Sequence, residues 1–174
     1  GNLVVDLEGK NTYLSEDSNV LGGVTITNGT LVVDSYIATV SGATNVSGTL
    51  KVGAGQYDAN GTFDASSGSI DFSNGNAQLL ISTPSVTSFG SLDDATGTVV
   101  FDGSSAQTLS EAETFYSLKI DNSSGVTMNA DIDVNGILNM NSGNIVNSNN
   151  ILTVGSSSGE GSINHTSGIV TGSL

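Results

Sequence analysis

Three pairs of carboxylates stand close together in this sequence: Asp93 with Asp94, Glu111 with Glu113, and Asp131 with Asp133. Glycoside hydrolysis needs two carboxyl groups facing each other across a cleft, one to protonate the leaving oxygen and one to attack or to activate water. Elimination on a uronate needs instead a basic side chain to take the proton, and cations to hold the acidic sugar. The chain has no Arg, and Lys10, Lys51 and Lys119 are widely separated. Each acid pair falls in an expected loop or on an outward strand face, so the pairs read as solvated corners. Tyr13, Tyr36, Tyr57 and Tyr116 could stack on sugars, whereas Phe63, Phe72, Phe89, Phe101 and Phe115 read as core.

Metal chemistry has little to build on. His165 is the single histidine, so neither a triad nor a histidine cluster can form; it could point inward at the end of a stack. The Gly-Gly-x-Gly-x-Asp nonapeptide and the EF-hand loop are both absent. Asp102-Gly103 and Asp121-Asn122 could donate oxygens at corners, at most a weak Ca²⁺ site. No catalytic, cofactor-binding or metal-binding residue is assigned. A flat Thr face of the kind that orders ice is not evident: Thr30, Thr49 and Thr98 alternate with Ser69 and Asn144, and Thr25, Thr27 and Thr127 stand apart. The Asn-rich run Asn139, Asn141, Asn144, Asn147, Asn149 and Asn150 could include a stacked amide ladder. Five Asn-x-Ser/Thr sequences, at Asn28, Asn45, Asn60, Asn122 and Asn164, are expected by chance in this composition.

The elements that must position these residues are announced by composition. Only 11% of the 174 residues are charged, against about 25% in an average soluble domain. Yet 36% are hydrophobic, and they recur at regular places, which argues for order from many short strands. Seventeen acids against three lysines give a net charge of −14. Such a surface repels phosphate backbones and anionic membranes, so nucleic acid is excluded as a main partner. The absence of cysteine removes disulfides and thiolate chemistry. No apolar run approaches the ~18 residues of a membrane span. A start at Gly1 without a signal segment is expected of a mature or excised piece.

A repeat organises the chain. Gly, a small or variable residue and an apolar residue begin similar units at Gly29, Gly48, Gly68, Gly97, Gly143 and Gly161, with Gly125 shifted by one. The glycines are 19, 20, 29, 28, 18 and 18 residues apart. The two long units resemble each other at a constant offset of 29, matching Phe72 to Phe101 and Leu80 to Leu109, which suggests a protruding loop or an extra strand pair. Within units, apolar centres fall every six or seven residues from Val126 through Ile132, Leu138, Ile145 and Leu152. Alternation such as Leu50-Lys51-Val52 marks strands. Asn-Gly at 28–29, 60–61, 74–75 and 135–136 marks sharp corners.

Three short strands per unit make a triangular coil, and stacked coils bury one continuous apolar column. The expected fold is an all-β, right-handed parallel β-helix of about eight coils, about 38 Å long at ~4.8 Å per coil, without helices. One domain spans 1–174, with regular coils over 19–75 and 125–174 and longer coils with protruding loops over 76–124. The loops around 76–95 and 104–117 are the expected sites of lateral contact. A two-sheet β-sandwich is the structural alternative.

The stretch from Gly97 to Val154, with Phe-Tyr-Ser-Leu-Lys-Ile-Asp-Asn-Ser-Ser-Gly-Val-Thr and Val-Asn-Gly-Ile-Leu-Asn-Met at its centre, resembles the β-strand repeat segments of very large secreted adhesin-like proteins. These are common in Bacteroidota that use type IX secretion. The segment 161–172 is similar to the same group. The resemblance implies a secreted location, extracellular or at the cell surface, and a role in attachment or in a fibre; it supplies no catalytic motif. The expected function is therefore structural and adhesive, not enzymatic. The expected partners are other copies or flanking repeats, met end to end, with surface glycans or proteins at loops. The alternative is a carbohydrate-binding or carbohydrate-processing β-helix of tailspike or lyase type.

Overall fold

The computed structural model describes residues 1–72, 76–93, 95–155 and 159–172. Among them there is no helix, and every strand pairing is parallel. The chain is a β-solenoid of about eight turns, and each turn visits three faces in fixed order. The first face stacks residues 24–26 on Thr44–Val46 and then Phe63–Asp64. The second stacks residues 30–32 on Thr49–Lys51, Ser69–Asp71 and Ser91–Leu92. The third stacks Ile37–Val40 on Gln56–Ala59, Gln78–Ile81, Thr98–Phe101 and the later half of Glu113–Asp121.

Corners form where the chain can bend without breaking its hydrogen bonds. Val24–Val32 supplies two faces, turning at Asn28-Gly29. Gly29 has φ +81°, and a Cβ there would lie 2.6 Å from the Lys10 carbonyl oxygen. The preceding turn of chain passes too close for any side chain, so only glycine fits. Elsewhere the side chain of an Asp or Asn does the work of a ladder bond. Asp17 Oδ1 accepts Ile37 N at 2.8 Å, Asp131 Oδ1 accepts Ile151 N at 2.8 Å, and Asn144 Oδ1 accepts Ile169 N at 3.0 Å. Each bond joins a corner to the adjacent turn, where an unpaired N–H would otherwise be costly.

Inward positions stack into columns. Leu31, Leu50 and Ile70 form one. Ala38, Tyr57, Leu79, Val99, Leu118 and Leu138 form another, and Val40, Ala59, Ile81, Phe101, Ile120 and Met140 a third. All of these are essentially sealed from solvent, and full burial of such a side chain contributes about 1.5–3 kcal/mol. Phe89 sits where rings converge, 6.0 Å from Phe63, 6.4 Å from Phe101 and 5.5 Å from Phe115.

The register corrects how the long units were read. Gly29, Gly48 and Gly68 open the second face, but Gly97 opens the third and Gly125 the first. The steps of 29 and 28 are thus one turn plus one face. Phe101 stacks on Ile81, not on Phe72. Residues 76–93 and 104–117 do not protrude as loops. They include the strands Gln78–Ile81, Ser91–Leu92 and Gln107–Leu109, and Leu79, Val86 and Phe89 from them are buried. Turns do lengthen here: Tyr57 pairs with Leu79 and Asp64 with Ser88, offsets of 22 and 24. The largest offset falls in the last turn, where Leu138 pairs with Ile163 and Ile145 with Val170, 25 residues apart. Residues 125–174 are therefore not uniformly regular, because Ile163 belongs over Leu138 and not over Ile145.

Candidate functional site

Two of the carboxylate pairs, Glu111 with Glu113 and Asp131 with Asp133, fall on adjacent turns, where Glu113 N donates to Asp131 O at 3.4 Å. Asp93 accepts the backbone N–H of Phe72 at 3.2 Å and of Ala95 at 3.0 Å, which ties it to a corner; Asp94 lies outside the described residues. Asp131 caps Ile151, while Asp133 is exposed on the second face beside Thr114 and Thr153. Glu111 is exposed, and Glu113 Oε1 accepts Thr114 N at 3.0 Å. The expectation of solvated corners is right for Glu111 and incomplete for Asp93 and Asp131, whose oxygens bind backbone.

The lysines are dispersed too. Lys51 pairs with Asp71 at 2.9 Å on the second face, Lys119 with Asp121 at 2.8 Å on the third, and Lys10 is exposed on the first turn. Lys119 Nζ, followed by the Asn141 amide at 2.6 Å, holds the Asp121 carboxyl below its ordinary value. The neighbouring corner carboxylate behaves in the opposite way. Partial burial raises Asp102, helped by the negative charges of Asp58 and Asp121, although Ser82 Oγ donates to it at 2.8 Å. Both oxygens of Asp121 are engaged, and Asn122 Oδ1 accepts Ser124 N at 2.8 Å. Among the described residues no three His, Cys, Asp or Glu side chains gather as a metal site.

Of the tyrosines, Tyr57 is fully buried, with its hydroxyl 3.0 Å from Thr44 Oγ1, and burial raises its pKa. Tyr13 projects from the first turn. Tyr36 and Tyr116 share one edge of the rod, the corner just before the third face. Each immediately precedes an equivalent position, since Ile37 stacks through Gln56, Gln78 and Thr98 to Ser117. That edge reads Tyr36, Gly55, Ala77, Gly97, Tyr116, Gly136 along the stack. A Cβ on Gly136 would lie 3.1 Å from Cε2 and Cζ of Tyr116, so the phenol ring leans over this glycine.

His165 continues the inward column below Met140, yet it is exposed, and its Nε2 lies 2.7 Å from Gly168 O. The reason is its place in the last turn. Ile163 and Val170 also continue inward columns, below Leu138 and Ile145, and are 59% and 46% exposed. In the first turn, Val5 at an inward position is only 2% exposed, and Thr12 and Ser18 occupy other stacked positions. Inward apolar positions are thus left uncovered at the C-terminal turn.

The Asn run forms no internal ladder. Asn164 Nδ2 donates to Asn139 Oδ1 at 3.0 Å on the exposed third face, and Asn150 Nδ2 to Met128 O at 2.8 Å. Hydroxyls do stack on the second face: Thr30, Thr49, Ser69 and Ser91 are in register, with Thr49 Oγ1 3.0 Å from Ser69 Oγ. Thr98 lies on the third face and outside that column. The buried polar core, missed in the sequence, is Gln107 with Asn122. Its only signal was a Gln and an Asn at apolar-phase positions. No family model, curated protein or solved structure matches this chain.

Proposed function

We propose that this chain is a structural and adhesive segment of a secreted cell-surface or extracellular fibre protein, a rod that stacks end to end on other coils. The observation that carries the reading is the C-terminal turn, where Ile163 and Val170 continue the buried columns of Leu138 and Ile145 yet are 59% and 46% exposed. A further coil, from flanking repeats or from another copy, would extend the same parallel ladders and cover that surface. The charge distribution favours this direction of growth. Acids distributed over the rod give a net charge of −14 and oppose side-by-side packing, whereas the last turn carries little charge.

The proposed role is mechanical: Lys51 and Lys119 lie on different faces, each paired with an Asp, and Lys10 is exposed on the first turn. Secretion and a surface location rest on the resemblance in residues 97–154 and 161–172.

Sedimentation velocity over a wide concentration range tests the end-on contact. The expected result is growth of larger species with concentration in the native chain and a monomer at every concentration for Ile163→Asp. Equal behaviour of the two proteins would contradict it.

A further inference from the structure

We propose that the edge around Tyr116 is a binding subsite for a neutral sugar unit of a glycan. An open depression of about 310 Å³ lies on this edge, lined by Asn76, Gln78, Thr98, Tyr116 and Ile137. Its size falls at the lower end of ligand sites, about 300–1,000 Å³. The composition is that of a sugar site in miniature: one aromatic plane, one aliphatic side chain, and amides and a hydroxyl that both donate and accept.

The fold keeps that plane available. Tyr116 is 40% exposed. Its neighbours along the edge are Gly97 in one turn and, across a register shift, Asn135 and Gly136 in the other, so a glycine flanks the ring on each side. Gly136 also supports the ring from beneath, since a Cβ there would meet Cε2 and Cζ at 3.1 Å. Asn76 and Gln78 are exposed, and Gln78 and Thr98 stack in register with Ser117, the residue after Tyr116. The C–H face of a pyranose fits the phenol ring, and its rim hydroxyls fall to the amides and to Thr98.

The class of sugar follows from charge. Among the described residues no Asp, Glu, Lys or Arg lines the depression, and the net charge is −14. Uronates, sulfated sugars and phosphates are repelled at long range and meet no cation on arrival. This subsite does not depend on end-on stacking, because it lies on the side of the rod.

The test is an NMR titration of the whole chain with cellohexaose, maltohexaose and laminarihexaose, with hexagalacturonate as the anionic comparison. At least one neutral hexasaccharide is expected to shift the amides of Gln78, Thr98, Tyr116 and Ile137. Tyr116→Ala is expected to weaken that binding about tenfold. Tyr116→Phe, which keeps the ring, stays within about twofold, and Tyr13→Ala leaves it unchanged. Gln78→Ala, an exposed position on the adjacent strand, weakens it independently of Tyr116. Three results would overturn the proposal: no shift with any neutral hexasaccharide, undiminished binding by Tyr116→Ala, or tighter binding of hexagalacturonate. Shifts at these amides produced by a decaproline peptide alone would also overturn it, in favour of a peptide groove.

Discussion

Asn122 Nδ2 donates to Gln107 Oε1 at 2.9 Å inside the rod, where the two residues are 0% and 1% exposed. Gln107 Nε2 donates to the carbonyls of Ile81 at 2.7 Å and Thr83 at 2.8 Å, and its Oε1 also accepts Gly103 N at 3.0 Å. This knot sits where the first face is weakest. Among the described residues, that face is joined between Phe63–Asp64 and Gln107–Leu109 by the isolated bridges Asp64 to Ser88 and Ser85 to Thr108. A glutamine side chain takes carbonyls there that a regular rung would engage. Gln107→Leu keeps the volume but strands several buried polar groups, each costing about 1–3 kcal/mol. Urea unfolding is expected to show a loss of at least about 3 kcal/mol. A loss below about 1 kcal/mol would show that the knot is not structural.

Phe89 bridges turns through three ring contacts. Truncating it opens a cavity that the stacked strands cannot collapse to fill. Phe89→Ala is expected to cost about 3–5 kcal/mol, and Phe89→Leu clearly less. Comparable losses for the two variants in urea unfolding would argue against ring packing as the cause.

Two glycines with positive φ separate backbone preference from steric clash. Gly9 has φ +66° and nothing within 4 Å of an added Cβ, whereas Gly29 would drive a Cβ against the Leu7 and Lys10 carbonyls. Gly9→Ala is expected to cost about 1–2 kcal/mol, the usual left-handed penalty. Gly29→Ala is expected to cost more, because the clash adds to that penalty and moves the first turn. Thermal unfolding of both variants decides it; equal losses would mean the first turn yields freely.

Asp102 and Asp121 make opposite contributions to pH dependence. The folded Asp102 carboxyl sits above its ordinary value of 3.8, chiefly through burial. Its contribution is full below that value and is lost as pH rises through the raised one. Asp102→Asn is therefore expected to raise the melting temperature at pH 7, with the gain vanishing in strong acid. Asp121 sits below 3.8 through the Lys119 and Asn141 contacts, so its contribution holds above 3.8 and is lost as pH falls through the lowered value. Asp121→Asn is expected to lower the melting temperature at pH 7. A matched pair of shifts with the same sign would refute this assignment.

Spacing made the solenoid readable. Leu31, Leu50 and Ile70 recur at the turn length because each must cover the one before, and the same demand yields the three-strand coil and the core phenylalanines. What spacing could not carry was phase. A glycine marks any tight corner, so Gly68 and Gly97 looked equivalent although they open different faces. Ile163 looked like a successor of Ile145 because a long corner offset the count. Edges were hidden for the same reason: Tyr36 and Tyr116 are 80 residues apart in sequence and fall on one edge, four turns apart, only once the register is known. The polar knot was invisible because it compensates an irregular rung, and irregularity leaves no period.

The end-on contact is tested most directly by negative-stain electron microscopy of the native chain at several concentrations, with and without Ca²⁺, beside Ile163→Asp. Eight turns at ~4.8 Å give a unit about 38 Å long. The expected images are thin filaments one rod wide that lengthen with concentration in the native chain and are missing in the variant. Isolated rods of about 38 Å at every concentration, or lateral sheets, would contradict stacking through the C-terminal turn.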